Sequence, residues 1–198
     1  MTRKFMDMLT RHLRISGAVG IQRRYFVMNS FDGVLTMLGV IVGSYMYGVM
    51  DAWKMVGVGV SASLAMAVSG FTGAYLTERA EQKRALKHLE KAMLKKLHNS
   101  IHADASRTAM FWAAIVDGGS PLLMSIISLS PFIASHLHLI SPQTALYLSV
   151  SLICSILFLL GAFLGNISKE SVFLSGLKML AAGFATASII AFLAKVTS

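Results

Sequence analysis

Residues 29–43 read NSFDGVLTMLGVIVG and place one carboxylate, Asp32, inside a long apolar stretch. The stretch runs from Tyr25 to Tyr47 and is long enough to cross a bilayer, which requires about 20 mostly apolar residues. An aspartate at the centre of a membrane helix costs about 2.5–3.5 kcal/mol. Either this stretch does not span a membrane, or Asp32 has a function that offsets the cost.

The composition favours a membrane protein. The 198 residues are 55% hydrophobic and 14% charged, with a mean hydropathy of +0.66, which leaves too few polar side chains to cover a soluble domain. Four further apolar windows are long enough to span, at Val56–Leu76, Met110–Ile133, Gln143–Leu164 and Val172–Ala194. The sequence therefore predicts an all-α, polytopic membrane protein with five transmembrane helices.

The distribution of Lys and Arg predicts the orientation, because basic residues concentrate on the cytoplasmic side. With a cytoplasmic N-terminus, 16 of the 18 basic residues lie in cytoplasmic segments, and only Lys54 and Lys195 lie on the far side. One helix more or fewer would destroy this partition, so the C-terminus is predicted on the far side. The net charge of +9 is explained by this topology and by attraction to anionic lipid. Nucleic-acid binding is not expected, since it would require a soluble basic fold.

The predicted organisation is one membrane domain, with the cell membrane as the expected location. Residues 1–24 form a basic, amphipathic segment on the cytoplasmic leaflet or, alternatively, a disordered basic tail. Residues 25–76 hold the first two spans, 77–109 a basic cytoplasmic helix, and 110–198 the last three spans. The apolar spacing after residue 77 predicts that the second span continues into the cytoplasm as an amphipathic helix.

A second aspartate, Asp117, lies in the third span, where VDG at 116–118 resembles FDG at 31–33. Each aspartate is seven residues into its span, or about 10 Å from the cytoplasmic edge, so the two could share one cation. The glycine that follows each aspartate leaves room for an ion or for a neighbouring backbone. A different interpretation is that both are interfacial aspartates bonded to nearby serine or asparagine.

Pro121 follows Asp117 by four residues and cannot donate a backbone hydrogen bond to its carbonyl. A free carbonyl beside a carboxylate is typical of cation sites in broken membrane helices. Pro131 has the same effect on Ile127. The alternative is that each proline only kinks the helix.

Other candidate ligands are methionines and the acidic residues of the cytoplasmic segment. Thioethers suit softer transition-metal ions, and four of the methionines could approach the aspartates: Met28, Met37, Met66 and Met124. Glu78, Glu81 and Glu90 supply oxygen ligands, although the surrounding Lys and Arg favour a solvated basic helix.

No catalytic motif is present: the sequence lacks a phosphate loop, a nucleophile elbow, HExxH and paired CxxC. The chain is therefore not expected to be an enzyme. An intramembrane aspartyl hydrolase is disfavoured, because glycine follows each aspartate where such proteases have Gly-x-Gly-Asp. A membrane scaffold or lipid-binding protein remains a second hypothesis.

Four segments resemble the vacuolar iron transporter family, particularly its short prokaryotic-type members. They are FDGVLTMLGVIVG (31–43), AVSGFTGAYLTERAE (67–81), VDGGSPLLMSIISLSPF (116–132) and GAFLGNISKESVFLSGLKMLAAGFATA (161–187). The resemblance implies a homodimer that exports Fe²⁺, sometimes Mn²⁺, from the cytoplasm in exchange for protons, with no permanently bound cofactor. It also implies that Asp32, which matches the family's first-span aspartate, lines the ion path at the dimer interface.

The sequence departs from the family pattern at two places. Gly70 replaces the methionine of a SMGxGGY-like stretch, and Met66 lies one turn earlier as a candidate substitute. The family's cytoplasmic metal-gathering helices are long and rich in glutamate, whereas residues 78–108 are short and basic. The predicted metal-binding residues are therefore Asp32, Asp117, Met66, Glu78, Glu81 and Glu90.

Overall fold

The computed structural model describes residues 18–94 and 101–197 and contains five α-helices in them. They are α1 (Ala18–Met46), α2 (Ala52–Met93), α3 (Ile101–His136), α4 (Pro142–Ser168) and α5 (Val172–Thr197). The described ranges hold no β-strand.

All five helices are long and apolar enough to cross a membrane. This confirms the predicted all-α, five-span fold and a multi-pass integral membrane protein. The sides on which the termini lie, the domain boundaries and the choice of membrane stay predictions. The predicted amphipathic segment falls largely in residues 1–17, which lie outside the described residues.

The second helix extends well beyond its apolar part, as the sequence predicted. Residues 55–77 carry no charged side chain, and α2 continues without interruption to Met93. At about 1.5 Å per residue, the last 16 residues add roughly 24 Å. Within the predicted cytoplasmic segment 77–109, α2 ends at Met93 and α3 begins at Ile101.

The helices pack into two compact units. The first contains the described residues up to Phe26 together with Ala67–Gly119, and the second contains Val27–Met66 and the residues from Ser120 onward. Helices α1, α2 and α3 therefore each contribute to both units.

The second unit holds the main hydrophobic core. On α1, Val34, Met37 and Ile41 recur at helical spacing and are fully buried. They share the core with α2, α3 and α4 residues that include Met55, Leu129, Phe132, Ile153 and Leu157.

Helices α4 and α5 approach each other closely because glycine replaces larger side chains at their contact. A Cβ at Gly161 would lie 2.5 Å from the carbonyl oxygen of Ser175 and 2.7 Å from the Cα of Gly176. Small residues allow this kind of backbone contact between membrane helices.

Both prolines of α3 lie inside a continuous helix that runs from Ile101 to His136. Serine hydroxyls bond to backbone carbonyls beside them: Ser125 donates to the carbonyl of Pro121 at 2.7 Å, and Ser130 donates to that of Ile127 at 2.7 Å. The carbonyl that Pro131 deprives of its usual partner is thus hydrogen-bonded. Side-chain hydroxyls commonly satisfy backbone groups freed by proline in membrane helices.

Candidate metal-binding and ion-path residues

Asp117 is a buried carboxylate in the first unit, with 8% of its surface exposed. It packs against α2 at Gly70, where an added Cβ would lie 2.9 Å from Asp117 Oδ2 and 3.2 Å from its carbonyl oxygen. A side chain at position 70 would therefore crowd Asp117 and require its carboxylate to move. The methionine that the family pattern has at this position does not fit in this packing.

The glycines that follow the two aspartates accommodate neighbouring backbones. A Cβ at Gly118 would lie 2.5 Å from the carbonyl oxygen of Ala67 and 3.0 Å from the Cβ of Phe71. In the second unit, a Cβ at Gly33 would lie 2.7 Å from the Cα of Pro121. The glycine that follows each aspartate therefore lies in close contact with a neighbouring helix backbone.

Glu78 is the second buried carboxylate of the first unit, with 6% exposure. It accepts a hydrogen bond of 3.1 Å on Oε1 from the hydroxyl of Tyr25. The same hydroxyl lies within electrostatic range of Asp117. Tyr25 on α1, Glu78 on α2 and Asp117 on α3 form a polar cluster in the first unit, in which the two carboxylates are buried and Tyr25 is half-buried.

Asp32 belongs to the second unit, and its side chain is exposed on the single chain. Thr36 donates a hydrogen bond of 2.8 Å from its hydroxyl to the backbone carbonyl of Asp32. Ser30, two residues earlier, is fully buried, and its hydroxyl has no hydrogen-bond partner in the described part of the chain. Because an ionised carboxylate is costly against hydrocarbon, Asp32 requires water or another protein surface beside it.

The other predicted ligands have varied environments. Met66 is half-buried and packs against the hydrophobic core of the second unit. Glu81 is exposed and Glu90 is half-buried. Among the side chains that the structure describes, no three of His, Cys, Asp or Glu lie close enough together to hold a metal ion.

The sequence pattern did not reveal Tyr25 as a member of the polar cluster. Tyr25 and Glu78 are 53 positions apart, and a tyrosine at the start of an apolar stretch is ordinary at a membrane interface. Only the packing of α1 against α2 identifies it.

Five membrane-spanning helices with carboxylates inside their apolar segments define a polytopic α-helical membrane protein of the kind found among ion transporters. The sequence matches the VIT family over residues 81–195. It is also 37% identical over 168 residues to the uncharacterized protein MJ0645 of Methanocaldococcus jannaschii, covering 83% of this chain and 84% of that protein. The chain belongs to the VIT family, the vacuolar iron transporter family that its sequence resembles.

Proposed function

We propose that this VIT-family chain exports a divalent transition-metal ion, Fe²⁺ or Mn²⁺, from the cytoplasm in exchange for protons, and that it acts as a homodimer. Family membership supports metal-ion transport as the general activity. The proposal of proton exchange by a homodimer depends on one observation: the carboxylate of Asp32 is exposed on the surface of a membrane-spanning helix. A second subunit that faces this surface across an aqueous path would remove the cost of exposing the carboxylate to lipid.

The exchange follows from competition between protons and the metal at the same carboxylates. A bound cation stabilises the ionised form of an aspartate, and protonation removes the charge that holds the cation. In a dimer, Asp32 from each subunit would face one path. Two carboxylates that bind one divalent ion have no net charge, and neither do two carboxylates that each carry a proton. Neither state therefore places net charge inside the membrane.

Carboxylate oxygens suit Mn²⁺ and Fe²⁺, whereas thioethers select softer ions. Asp117 and Glu78 are proposed as a further binding position for the cation or its protons, because both are buried carboxylates of the first unit. Met66, Glu81 and Glu90 stay candidate ligands. As a member of a transporter family, the chain is not proposed to catalyse a reaction.

The test is Fe²⁺ and Mn²⁺ flux into liposomes that contain the purified chain, with and without a pH gradient. Asp32→Asn should abolish gradient-dependent flux, because the amide can neither release a proton nor hold a cation by charge. Asp51→Asn is the matched control: it makes the same change at an exposed aspartate between α1 and α2, outside the spans. Equal flux in the native chain and in Asp32→Asn would contradict the proposal.

The exposure of Asp32 also fits a second function, that of a non-transporting membrane scaffold or lipid-binding protein in which Asp32 faces lipid. That hypothesis predicts no flux of either ion by folded native protein. Flux of the native chain together with loss in Asp32→Asn would exclude it.

A further inference from the structure

The part of α2 that extends beyond the apolar segment carries a basic face. Lys83, Arg84, Lys87, His88 and Lys91 are exposed and, with Ala80, line a shallow groove of about 310 Å³. Lys83, Lys87 and Lys91 repeat every four residues, and Arg84 and His88 form the adjacent row. Such spacing places all five side chains on one side of the helix.

The four Lys and Arg residues of this basic face form no ion pair within the described chain. Glu78, near the start of this part of α2, is buried and accepts a hydrogen bond from Tyr25. Like charges one turn apart destabilise a helix, so an anion bound to this face would stabilise it.

The position of the basic face along α2 argues against lipid headgroups as the anion. The charge-free segment ends at Thr77, so Lys87 and Lys91 lie about 15 and 21 Å further along the helix. The headgroup layer on each side of a bilayer is only about 5–8 Å thick. A tilt of about 20° would shorten these heights by less than a tenth, so both lysines lie beyond the lipid phosphates.

We propose that this basic face binds a soluble oligophosphate anion, such as the phosphate chain of a nucleotide or inorganic tripolyphosphate. Lysine and arginine form charge-assisted hydrogen bonds to phosphate oxygens. The lysines recur at about 6 Å along the helix axis, so neighbouring phosphates can be contacted by different side chains. A bare divalent cation would be repelled from the same surface.

Phosphate binding by the basic face would also affect how metal reaches the transporter. This part of the inference rests on the proposed function. Oligophosphates chelate divalent cations, and their complexes remain anionic. The basic face would attract the ion as such a complex.

The experiment is a calorimetric titration of inorganic tripolyphosphate into the full chain, which is held in nanodiscs of zwitterionic phosphatidylcholine. The solution contains no metal. The variant Lys83→Gln/Lys87→Gln/Lys91→Gln should weaken binding by about tenfold or more, because three charge-assisted contacts are lost. The control Lys169→Gln/Lys178→Gln/Lys195→Gln removes the same charge at exposed positions outside this face and should bind like the native chain. Raising the salt concentration from about 0.05 M to 0.5 M should weaken native binding.

Equal affinity of the two triple variants, or no binding by the native chain, would overturn the proposal. A third result would also overturn it: the native chain does not bind tripolyphosphate, and the α2 variant binds anionic phosphatidylglycerol vesicles more weakly than the native chain does. The basic face would then bind lipid headgroups. The titration contains no metal and measures no flux. Its failure is therefore distinct from failure of the proposed transport.

Discussion

Gly70 on α2 and the carboxylate of Asp117 on α3 occupy adjoining space, such that a Cβ at position 70 would lie 2.9 Å from Asp117 Oδ2. A large side chain at position 70 would therefore displace the buried carboxylate at position 117 in this packing. The departure from the family's methionine and the presence of Asp117 have one physical explanation. The aspartate takes the volume that a methionine would fill.

Gly70→Ala should destabilise the protein by about 1–3 kcal/mol, the usual cost of overpacking a tight contact. Thermal unfolding in detergent measures it. Gly73→Ala is the matched control on the same helix, since a Cβ there meets nothing within 4 Å. It should be neutral or stabilising, because alanine has the higher helix propensity.

A double-mutant cycle tests whether the side chain of Asp117 causes this cost. Gly70→Ala should cost less in an Asp117→Ala background than in the native chain, because the carboxylate no longer meets the new methyl group. Additive effects of the two substitutions would show that the contact with the carboxylate is not the source.

Tyr25→Phe should lower stability by about 1–3 kcal/mol, because it leaves the buried Glu78 carboxylate without its hydrogen-bond donor. Glu78→Gln should cost less, since the amide oxygen still accepts from Tyr25. Tyr75→Phe is the control: this half-buried tyrosine makes no hydrogen bond in the described ranges. Equal unfolding temperatures for Tyr25→Phe and Tyr75→Phe would contradict the role of the bond.

The number and type of the helices could be predicted from the sequence, because each span needs only length and apolar character. The continuation of α2 beyond its apolar part also follows from the sequence, because apolar residues recur at helical spacing after residue 77. These features depend on neighbours along the chain. They require no knowledge of which helix faces meet.

The cluster of Tyr25, Glu78 and Asp117 could not be predicted in full, because it depends on which helix faces meet. Asp117 and Glu78 were identified by their chemistry, but Tyr25 joins them only through packing across 53 positions. The sequence is compatible with either an ion or a neighbouring backbone beside Gly33 and Gly118, because it does not show what fills the space beside a glycine. Asp32 is a related case, since its environment in the proposed dimer depends on a second chain.

Asp51 predicts a pH dependence at the start of α2. Its Oδ1 accepts hydrogen bonds from the backbone N–H groups of Lys54 and Trp53, at 3.2 and 2.9 Å. These bonds, that of Lys54 first, lower the pKa of Asp51 below its ordinary value of 3.8. A lowered folded-state pKa means that the stabilisation is complete above the ordinary value and is lost as the pH falls through the lowered one.

The amide proton shifts of Trp53 and Lys54 should therefore titrate together at a pH below 3.8. Nuclear magnetic resonance in detergent micelles measures them. Asp51→Asn retains a capping oxygen but has no proton to gain, so its shifts should not change over this range. A transition at the same pH in Asp51→Asn would show that another group is titrating.

Asp117→Asn should separate stability from transport. The substitution keeps the shape of the side chain and removes the cost of a buried charge, so the unfolding temperature should stay the same or rise. If Asp117 holds the cation or its protons, the same variant should lose Mn²⁺ flux into liposomes, because the neutral amide binds cations weakly. Ser125→Ala is the control: it changes a fully buried polar residue of α3 whose hydroxyl bonds to the Pro121 carbonyl, so flux should persist. If Asp117→Asn transports Mn²⁺ as fast as the native chain, Asp117 has a packing role beside Gly70 and does not bind the transported ion. Asp32 would then be the aspartate that lines the ion path.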